Sequence, residues 1–356
     1  MGQQRIQVAI VGASGYSGEE LVRLLLNHPY VVLTRITSRQ YAGRKLAEVF
    51  PRFAKIPAAQ ALQFTEPDIQ ALKAEAEVIF LALPHGVAAT FAVPLIEAGK
   101  RVIDLSADFR LRDPKRYREF YKQDHPAPAL LPQAVYGLPE IYAEAIRSAQ
   151  LVASPGCYPT GILLPLIPLV REKVISPEGI VINSLSGVSG AGRKADLQYA
   201  FVECHESLRP YAVPVHRHLS EIEQELELAA GQPIRVRFTP HLVPVNRGIL
   251  TTITCRPGPA LTSFRHDATV IETHIANVYR QIYRSAPFIH LLGSEALPDT
   301  KHVVGTNVLQ IAWRWDPRTE HLIVMSAEDN LLKGASGQAV QSFNLMFGFP
   351  EETGLR

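Results

Sequence analysis

A doubly wound parallel α/β sheet joined to a second, α+β domain is what this chain spells out. Three observations lead there. Its 356 residues suit two domains at about 150 residues each. The first part alternates short β-branched runs with helical patterns, the order of a parallel sheet with crossover helices. From Val152 onward longer mixed strands and helices replace that alternation. Hydrophobic residues make up 47% and charged residues 20%, which supplies two cores and excludes a disordered or fibrous chain.

The elements follow in order. Gln7–Val11 is an apolar strand, and Glu19–Asn27 places Leu21, Val22, Leu24 and Leu25 at helical spacing. Val31–Thr37, Val78–Leu83 and Val102–Leu105 are further strands, with a helix over Val87–Ala98. Such continuous apolar strands suit burial on both faces. Pro114 to Pro139 is rich in Pro, Tyr and charge, and reads as a long functional connection without period. Beyond it, Val181–Leu185, Ile234–Phe238, Gly248–Thr254 and Leu322–Ser326 read as strands. Ser220–Ala230, His266–Tyr283 and Leu331–Phe347 read as helices. The expected division is a Rossmann-type domain over 1–153, completed by 330–356, and an α+β catalytic and oligomerisation domain over 154–329.

Charge and cysteine usage narrow the function. With 36 basic and 34 acidic residues the net charge is +2, which gives no electrostatic case for nucleic acid or an anionic membrane. No run approaches the roughly 20 apolar residues of a membrane helix. The N-terminus enters a strand without a signal-peptide pattern, and Ile6 breaks the myristoylation motif that Gly2 would begin. Three cysteines, Cys157, Cys204 and Cys255, are too few and too scattered for a disulfide framework. The expectation is a soluble cytoplasmic protein.

The turn Gly12-Ala13-Ser14-Gly15-Tyr16-Ser17-Gly18 joins the first strand to the first helix. Glycines there allow close approach of a pyrophosphate to a helix N-terminus. The spacing is G-x-x-G-x-x-G rather than the usual G-x-G-x-x-G, so its position between strand and helix carries the assignment. An NAD site places an acidic residue at the end of the second strand. This chain has Thr37-Ser38-Arg39 there, with Arg44-Lys45 beyond, and no carboxylate before Glu48. A hydroxyl and a guanidinium suit a 2′-phosphate, so the expected cofactor is NADP.

Cys157 lies in Ser154-Pro155-Gly156-Cys157-Tyr158-Pro159-Thr160-Gly161, a Pro/Gly turn before a helical run. The start of a helix favours the thiolate, and a thiolate beside a dinucleotide domain suits thioester chemistry. Pro165 and Pro168 require either a kink in that helix or a later start. Cys204 and Cys255 sit in ordinary segments. His216-Arg217-His218 precedes Ser220, read as a helix N-cap. In an extended approach both imidazoles point to one side. The spacing of Cys204, His205, His216 and His218 fits no usual zinc site, so no metal is expected. A non-catalytic NADP-binding redox sensor is the alternative from another class, but it leaves the paired histidines without a role.

Taken together, the ordered segments Val11–Gly18, Leu83–Gly86, Asp104–Arg110, Tyr136–Glu140, Ser154–Thr160, Ser186–Arg193, His216–Gln224, His241–Gly248 and Asn330–Gln338 resemble the N-acetyl-gamma-glutamyl-phosphate reductase family over essentially the whole length. That family comprises relatives of aspartate-semialdehyde dehydrogenase. The resemblance implies NADPH-dependent reduction of N-acetyl-L-glutamyl 5-phosphate to the 5-semialdehyde, with release of phosphate, in arginine biosynthesis. It implies Cys157 as nucleophile and His216 and His218 as the acid/base segment, with His216 preferred as base and the order left open. It implies cofactor contacts at Gly12, Ser14, Gly15, Tyr16, Ser17, Gly18, Ser38, Arg39, Pro84 and Asn330. Substrate anions are expected at Arg110, Ser186, Gly187, Arg193 and Arg247, and a dimer or tetramer is carried from the family. Aspartate-semialdehyde dehydrogenases have Asn after the nucleophile where this chain has Tyr158, which counts against that sister activity. A carrier-protein-linked aminoadipyl-phosphate reductase of lysine synthesis is the near alternative.

Overall fold

The computed structural model describes residues 5–264 and 266–355. The chain forms two units, 1–118 with 122–155 and 335–356, and 119–121 with 156–334. The first is a seven-stranded, all-parallel sheet in the order β3-β2-β1-β4-β5-β7-β6. Its strands are β1 (Ile6–Val11), β2 (Val31–Thr37), β3 (Phe64–Thr65), β4 (Val78–Leu81), β5 (Arg101–Asp104), β6 (Ala134–Tyr136) and β7 (Leu151–Ala153). β1 and β4 are buried almost end to end, as expected of strands covered on both faces. On one face Ala9, Val11, Ile79, Leu81, Val102 and Leu151 pack with Ala88, Ala92 and Leu95 of helix Ala88–Glu97. The C-terminal helix Gly337–Met346, buried along its length, joins the same unit: Gln341 donates to Glu140 at 2.9 Å and Ser336 Oγ to the Ser17 carbonyl at 2.9 Å.

The stretch read as irregular is partly regular. Asp113 caps helix Pro114–Tyr121 by accepting the Lys115 N–H at 2.8 Å, with Pro114 at the position where proline costs no hydrogen bond. That Asp-Pro pair was the missed signal. Helix Pro139–Ser148 follows.

The second unit is a mixed sheet in the order β12-β13-β14-β11-β8-β10-β9. Its strands are β8 (Ile180–Gly187), β9 (Arg209–Pro210), β10 (Val236–Val243), β11 (Ile249–Cys255), β12 (Ile289–Gly293), β13 (Leu309–Asp316) and β14 (His321–Glu328). β13, which the sequence reading passed over, shows alternation in Leu309, Ile311, Trp313 and Trp315. Along β8 and β11 the even and odd positions separate cleanly. Ile182, Ser184 and Ile253 are buried, and Ser184 and Thr251 share a 2.8 Å hydroxyl pair. Val181, Leu185, Leu250 and Thr252, together with Ile323 and Met325 of β14, remain partly exposed on the other face.

One expectation is corrected and two gain detail. Helix Cys157–Arg171 starts at the cysteine and includes both prolines, so of the two expected consequences of Pro165 and Pro168 the later start is excluded. Ser220 is not an N-cap: His218 holds that position and the helix is Leu219–Ala230. The helix expected over Leu331–Phe347 is present, but its first turn is widened: a π-helical stretch Leu332–Ser336 runs directly into the α-helix Gly337–Met346. Asp329 precedes it, accepting the Leu331 and Leu332 N–H groups on its carboxylate at 2.8 and 3.2 Å and the Gly334 N–H, five residues on, at its carbonyl at 3.0 Å. Met1 to Gln4, with the Gly2 reading, lie outside the described residues.

Candidate active site

The glycine turn divides its labour. Gly12 has φ +86°, and a Cβ there would meet the Ala82 carbonyl oxygen at 2.3 Å. A Cβ on Gly18 would meet the Gly12 carbonyl oxygen at 2.3 Å. Gly15 is different, since the nearest atom to a Cβ there is 3.7 Å away. Packing therefore requires glycine at 12 and 18, whereas at 15 the missing side chain leaves space. Gly15 is also the N-cap of helix Tyr16–Leu26 and brings no side-chain cap, the arrangement in which a helix start receives phosphate. Ser14 and Ser38 hydroxyls meet at 2.8 Å, tying the turn to the end of β2, and Arg39 beside them is exposed. Glu48 accepts the Lys45 N–H at 3.2 Å, so it caps its own short helix. These residues fit a dinucleotide carrying a 2′-phosphate.

Asp108 shapes the loop after β4. Its carboxylate accepts the Gly86 N–H at 2.6 Å, the Ala89 N–H at 3.2 Å and the Tyr117 hydroxyl at 3.2 Å, fixing the backbone next to exposed Pro84. Arg110 is buried and donates to the carbonyls of Ser154 and Leu105, both at 2.8 Å. Nearby, Asp104 is fully buried, and burial together with Asp108 pushes its carboxyl up to about 7.

In the second unit Cys157 is the first residue of its helix, and Gly156 is the N-cap. Both glycine positions around the thiol are enforced. A Cβ on Gly156 would lie 2.5 Å from His218 Nε2, and one on Gly334 would lie 2.8 Å from the Cys157 Cβ. So the His218 ring lies against the residue preceding Cys157. Glu221, fully buried, accepts the Gly156 N–H through Oε2 at 3.0 Å while its Oε1 is 4.0 Å from His218 Nε2. One carboxylate therefore locates both the turn before Cys157 and the imidazole. Sequence reading missed Glu221, although it stands three residues after His218, the helical spacing that brings side chains together.

His216 and His218 are close, with ring centroids 4.8 Å apart, but a turn rather than an extended strand brings them together. The His218 backbone N–H donates to His216 Nδ1 at 3.1 Å. Burial first, then the neighbouring His218 and Arg217, push the His216 pKa down to about 2. Cys157, both histidines, Ser186 and Gly187 line one cavity of about 230 Å³, with Tyr158, Tyr211, Arg209 and Arg217 completing its polar wall. The Tyr158 and Tyr211 hydroxyls are 2.8 Å apart, and burial raises the pKa of both. Behind the helix Glu328 is fully buried, and burial lifts its carboxyl well above the usual range.

The remaining expected residues stand elsewhere in this unit. Arg193 is exposed, and Arg247 lies 3.6 Å from Asp329; neither lines the Cys157 cavity. Asn330 accepts the Gly248 N–H at 2.8 Å and donates to Ser189 Oγ at 3.0 Å, bracing the loops after β8 and β10. Of the cavity's own arginines, Arg209 is remote from Cys157 in sequence and carries no motif, and Arg217 stands inside the His216-Arg217-His218 segment, whose histidines alone pointed to chemistry.

Two family models match the chain: the semialdehyde dehydrogenase NAD binding domain over residues 7–149 and the semialdehyde dehydrogenase dimerisation domain over 157–330. Two solved structures share the fold. Aspartate semialdehyde dehydrogenase II of Vibrio cholerae has a TM-score of 0.71 at 19% identity, covering 97% of this chain and 99% of its own. The Candida albicans aspartate semialdehyde dehydrogenase, solved with NADP, has 0.70 at 16% identity with the same coverage. Fold and site thus define an oxidoreductase of the semialdehyde dehydrogenase class. Among curated relatives, the N-acetyl-gamma-glutamyl-phosphate reductase of Akkermansia muciniphila is 55% identical over 353 residues, 99% of each chain. That of Desulforudis audaxviator is 49% identical over 350 residues, 98% of each. The chain belongs to the N-acetyl-gamma-glutamyl-phosphate reductase family.

Proposed function

We propose that this chain reduces N-acetyl-L-glutamyl 5-phosphate to the 5-semialdehyde with NADPH, through a thioester on Cys157. The observation that carries the reading is the Cys157 cavity, where a helix-opening thiol, an imidazole against the preceding glycine and a shared carboxylate meet. The Cys157 thiolate attacks the acyl carbon, forming the C–S bond as the bond to the phosphate oxygen breaks and phosphate leaves. NADPH, when bound, supplies the hydride that converts the thioester into the aldehyde; the unit containing the Gly12–Gly18 turn, Ser38 and Arg39 would hold it. His218 takes the thiol proton, with Glu221 fixing the ring. A base is effective when its pKa lies near the operating pH, which disfavours His216 for this role. Arg209 and Arg217 offer positive charge to the substrate anions inside the cavity.

The second unit is proposed to pair with its copy through the partly exposed sheet face of Val181, Leu185, Leu250, Thr252, Ile323 and Met325, giving a homodimer. Three cysteines outside any disulfide suit work in the cytoplasm. Among the described residues no helix is long and apolar enough to cross a membrane. The test is NADP reduction by the semialdehyde and phosphate, the reverse reaction, run beside its aminoadipyl counterpart. Turnover lost in Cys157→Ser, with an acyl adduct on Cys157 in the wild type, is expected. An adduct on Cys204 or Cys255, or preference for the aminoadipyl substrate, overturns the reading.

A further inference from the structure

The catalytic reading leaves His216, which lines the cavity, without a task. His216 is ringed by aromatics: Tyr158 at 5.4 Å, Tyr211 at 5.5 Å and Phe238 at 5.5 Å between ring centroids, all near perpendicular. The His218 main-chain N–H enters its Nδ1. An imidazolium carries a proton on both nitrogens, so its Nδ1–H would point at another N–H. The backbone therefore selects a single form, the neutral ring with its proton on Nε2. The side chain is only partly covered and lines the cavity that holds Cys157, and Nε2 has no hydrogen-bond partner within the described residues.

We propose that His216 is a permanently neutral N–H donor, whose Nε2–H binds an oxygen of the acyl substrate and takes no part in proton transfer. This deepens the reading of the Cys157 cavity and rests on it. The groups facing the ring do not reverse the choice. His218 and Arg217 add positive charge beside it, Tyr158 from helix Cys157–Arg171 and Tyr211 from the segment before His216 are neutral hydroxyls, and Phe238 on β10 is apolar. Glu221 favours a proton but acts more weakly than burial. Donation by a fixed neutral imidazole suits a reaction in which charge appears on substrate oxygen, because no proton is lost to the medium as the pH changes.

The test combines spectroscopy on the intact wild-type enzyme with kinetics. Nitrogen-15 NMR of histidine-labelled enzyme, assigned with His216→Gln, should show a bare Nδ1 and a protonated Nε2 for His216, unchanged from about pH 5 to 8, where ordinary histidines titrate. His216→Leu should lower kcat/KM for the acyl substrate about tenfold or more, the loss expected for a hydrogen bond to an oxygen that gains charge. His216→Gln, whose amide can replace the Nε2 donor, should recover most of that loss. Neither variant should move the acid limb of the pH–rate profile, which His218→Gln should abolish. Titration of His216 in that range, a proton on Nδ1, or an unchanged kcat/KM in His216→Leu overturns the inference. An enzyme that shows the expected tautomer but does not reduce the acetylglutamyl substrate overturns the proposed function instead.

Discussion

At the scale of single residues, side chains do two kinds of work that substitution separates. Gly18 is demanded by packing, because a Cβ would collide with the Gly12 carbonyl. Gly15 is not. Gly15→Ala is therefore expected to fold with nearly wild-type melting behaviour and to raise the KM for NADPH. Gly18→Ala should lose stability itself; calorimetry beside kinetics on both variants checks the contrast, and a Gly15→Ala enzyme with unchanged KM would sink the phosphate assignment. His218→Asn should depress turnover and remove a titration from the acid side of the pH–rate profile. A profile left intact would return the base role to His216. Cys157, the glycine turn and the paired histidines were legible in sequence because each sits in a local motif. Glu221, Arg209 and Arg217 were not, since their relation to the thiol exists only across the second unit.

At the scale of elements, buried charge decides how pH acts on the fold. Asp104 ends β5, is fully buried, and accepts the Ser106 N–H at 2.9 Å and the Ser106 hydroxyl at 2.8 Å. Burial, assisted by Asp108, raises its pKa to about 7 from an ordinary 3.8. A carboxyl raised on folding prefers the protonated state. Its contribution is complete below about pH 3.8 and is lost as pH rises through about 7, by about 4 kcal/mol at most. Asp104→Asn should thus lose less stability than wild type between about pH 4 and 7, measured by denaturant unfolding at both ends. Parallel slopes in the two proteins would show that Asp104 is already ionised across the range. Helix and strand positions were largely readable from periodicity, as Val31–Thr37 illustrates, but the widened turn over Leu332–Ser336 was not, because the bond from the Gly334 N–H to the Asp329 carbonyl, five residues back, leaves no mark in residue type or spacing.

For the whole molecule, the second sheet carries one buried face and one partly exposed face with Leu185, Leu250, Ile323 and Met325. An apolar sheet face of this kind loses free energy by leaving water, at roughly 25 cal/mol per Å² of apolar area removed. Ile323→Asp and Met325→Asp should each shift the assembly toward monomer in light-scattering chromatography, while circular dichroism stays unchanged. A monomeric wild type, or dimers that persist in the double variant, would place the interface elsewhere. The division into a parallel and a mixed unit was visible as a change from strand–helix alternation to mixed runs after Val152. Strand order and the pairing of β8 with both β10 and β11 were not, because sheet neighbours are chosen by contacts distant in sequence.

By itself the sequence determined a dinucleotide-type α/β half, a helix-opening cysteine, the absence of a carboxylate after β2 and membership of a reductase family, because each is written in consecutive or closely spaced residues. Only the tertiary structure decided that helix Cys157–Arg171 tolerates two prolines, that Asn330 spends both polar ends inside its own unit, and that Arg209 and Arg217 rather than Arg193 or Arg247 face the thiol. The two histidines show the boundary most clearly. Their residue type and spacing were plain, but the different roles proposed for them rest on one backbone N–H aimed at His216 Nδ1 and one glycine too small to displace the His218 ring. Hydrogen-bond direction and contact distance belong to the folded chain, and no period or motif encodes them.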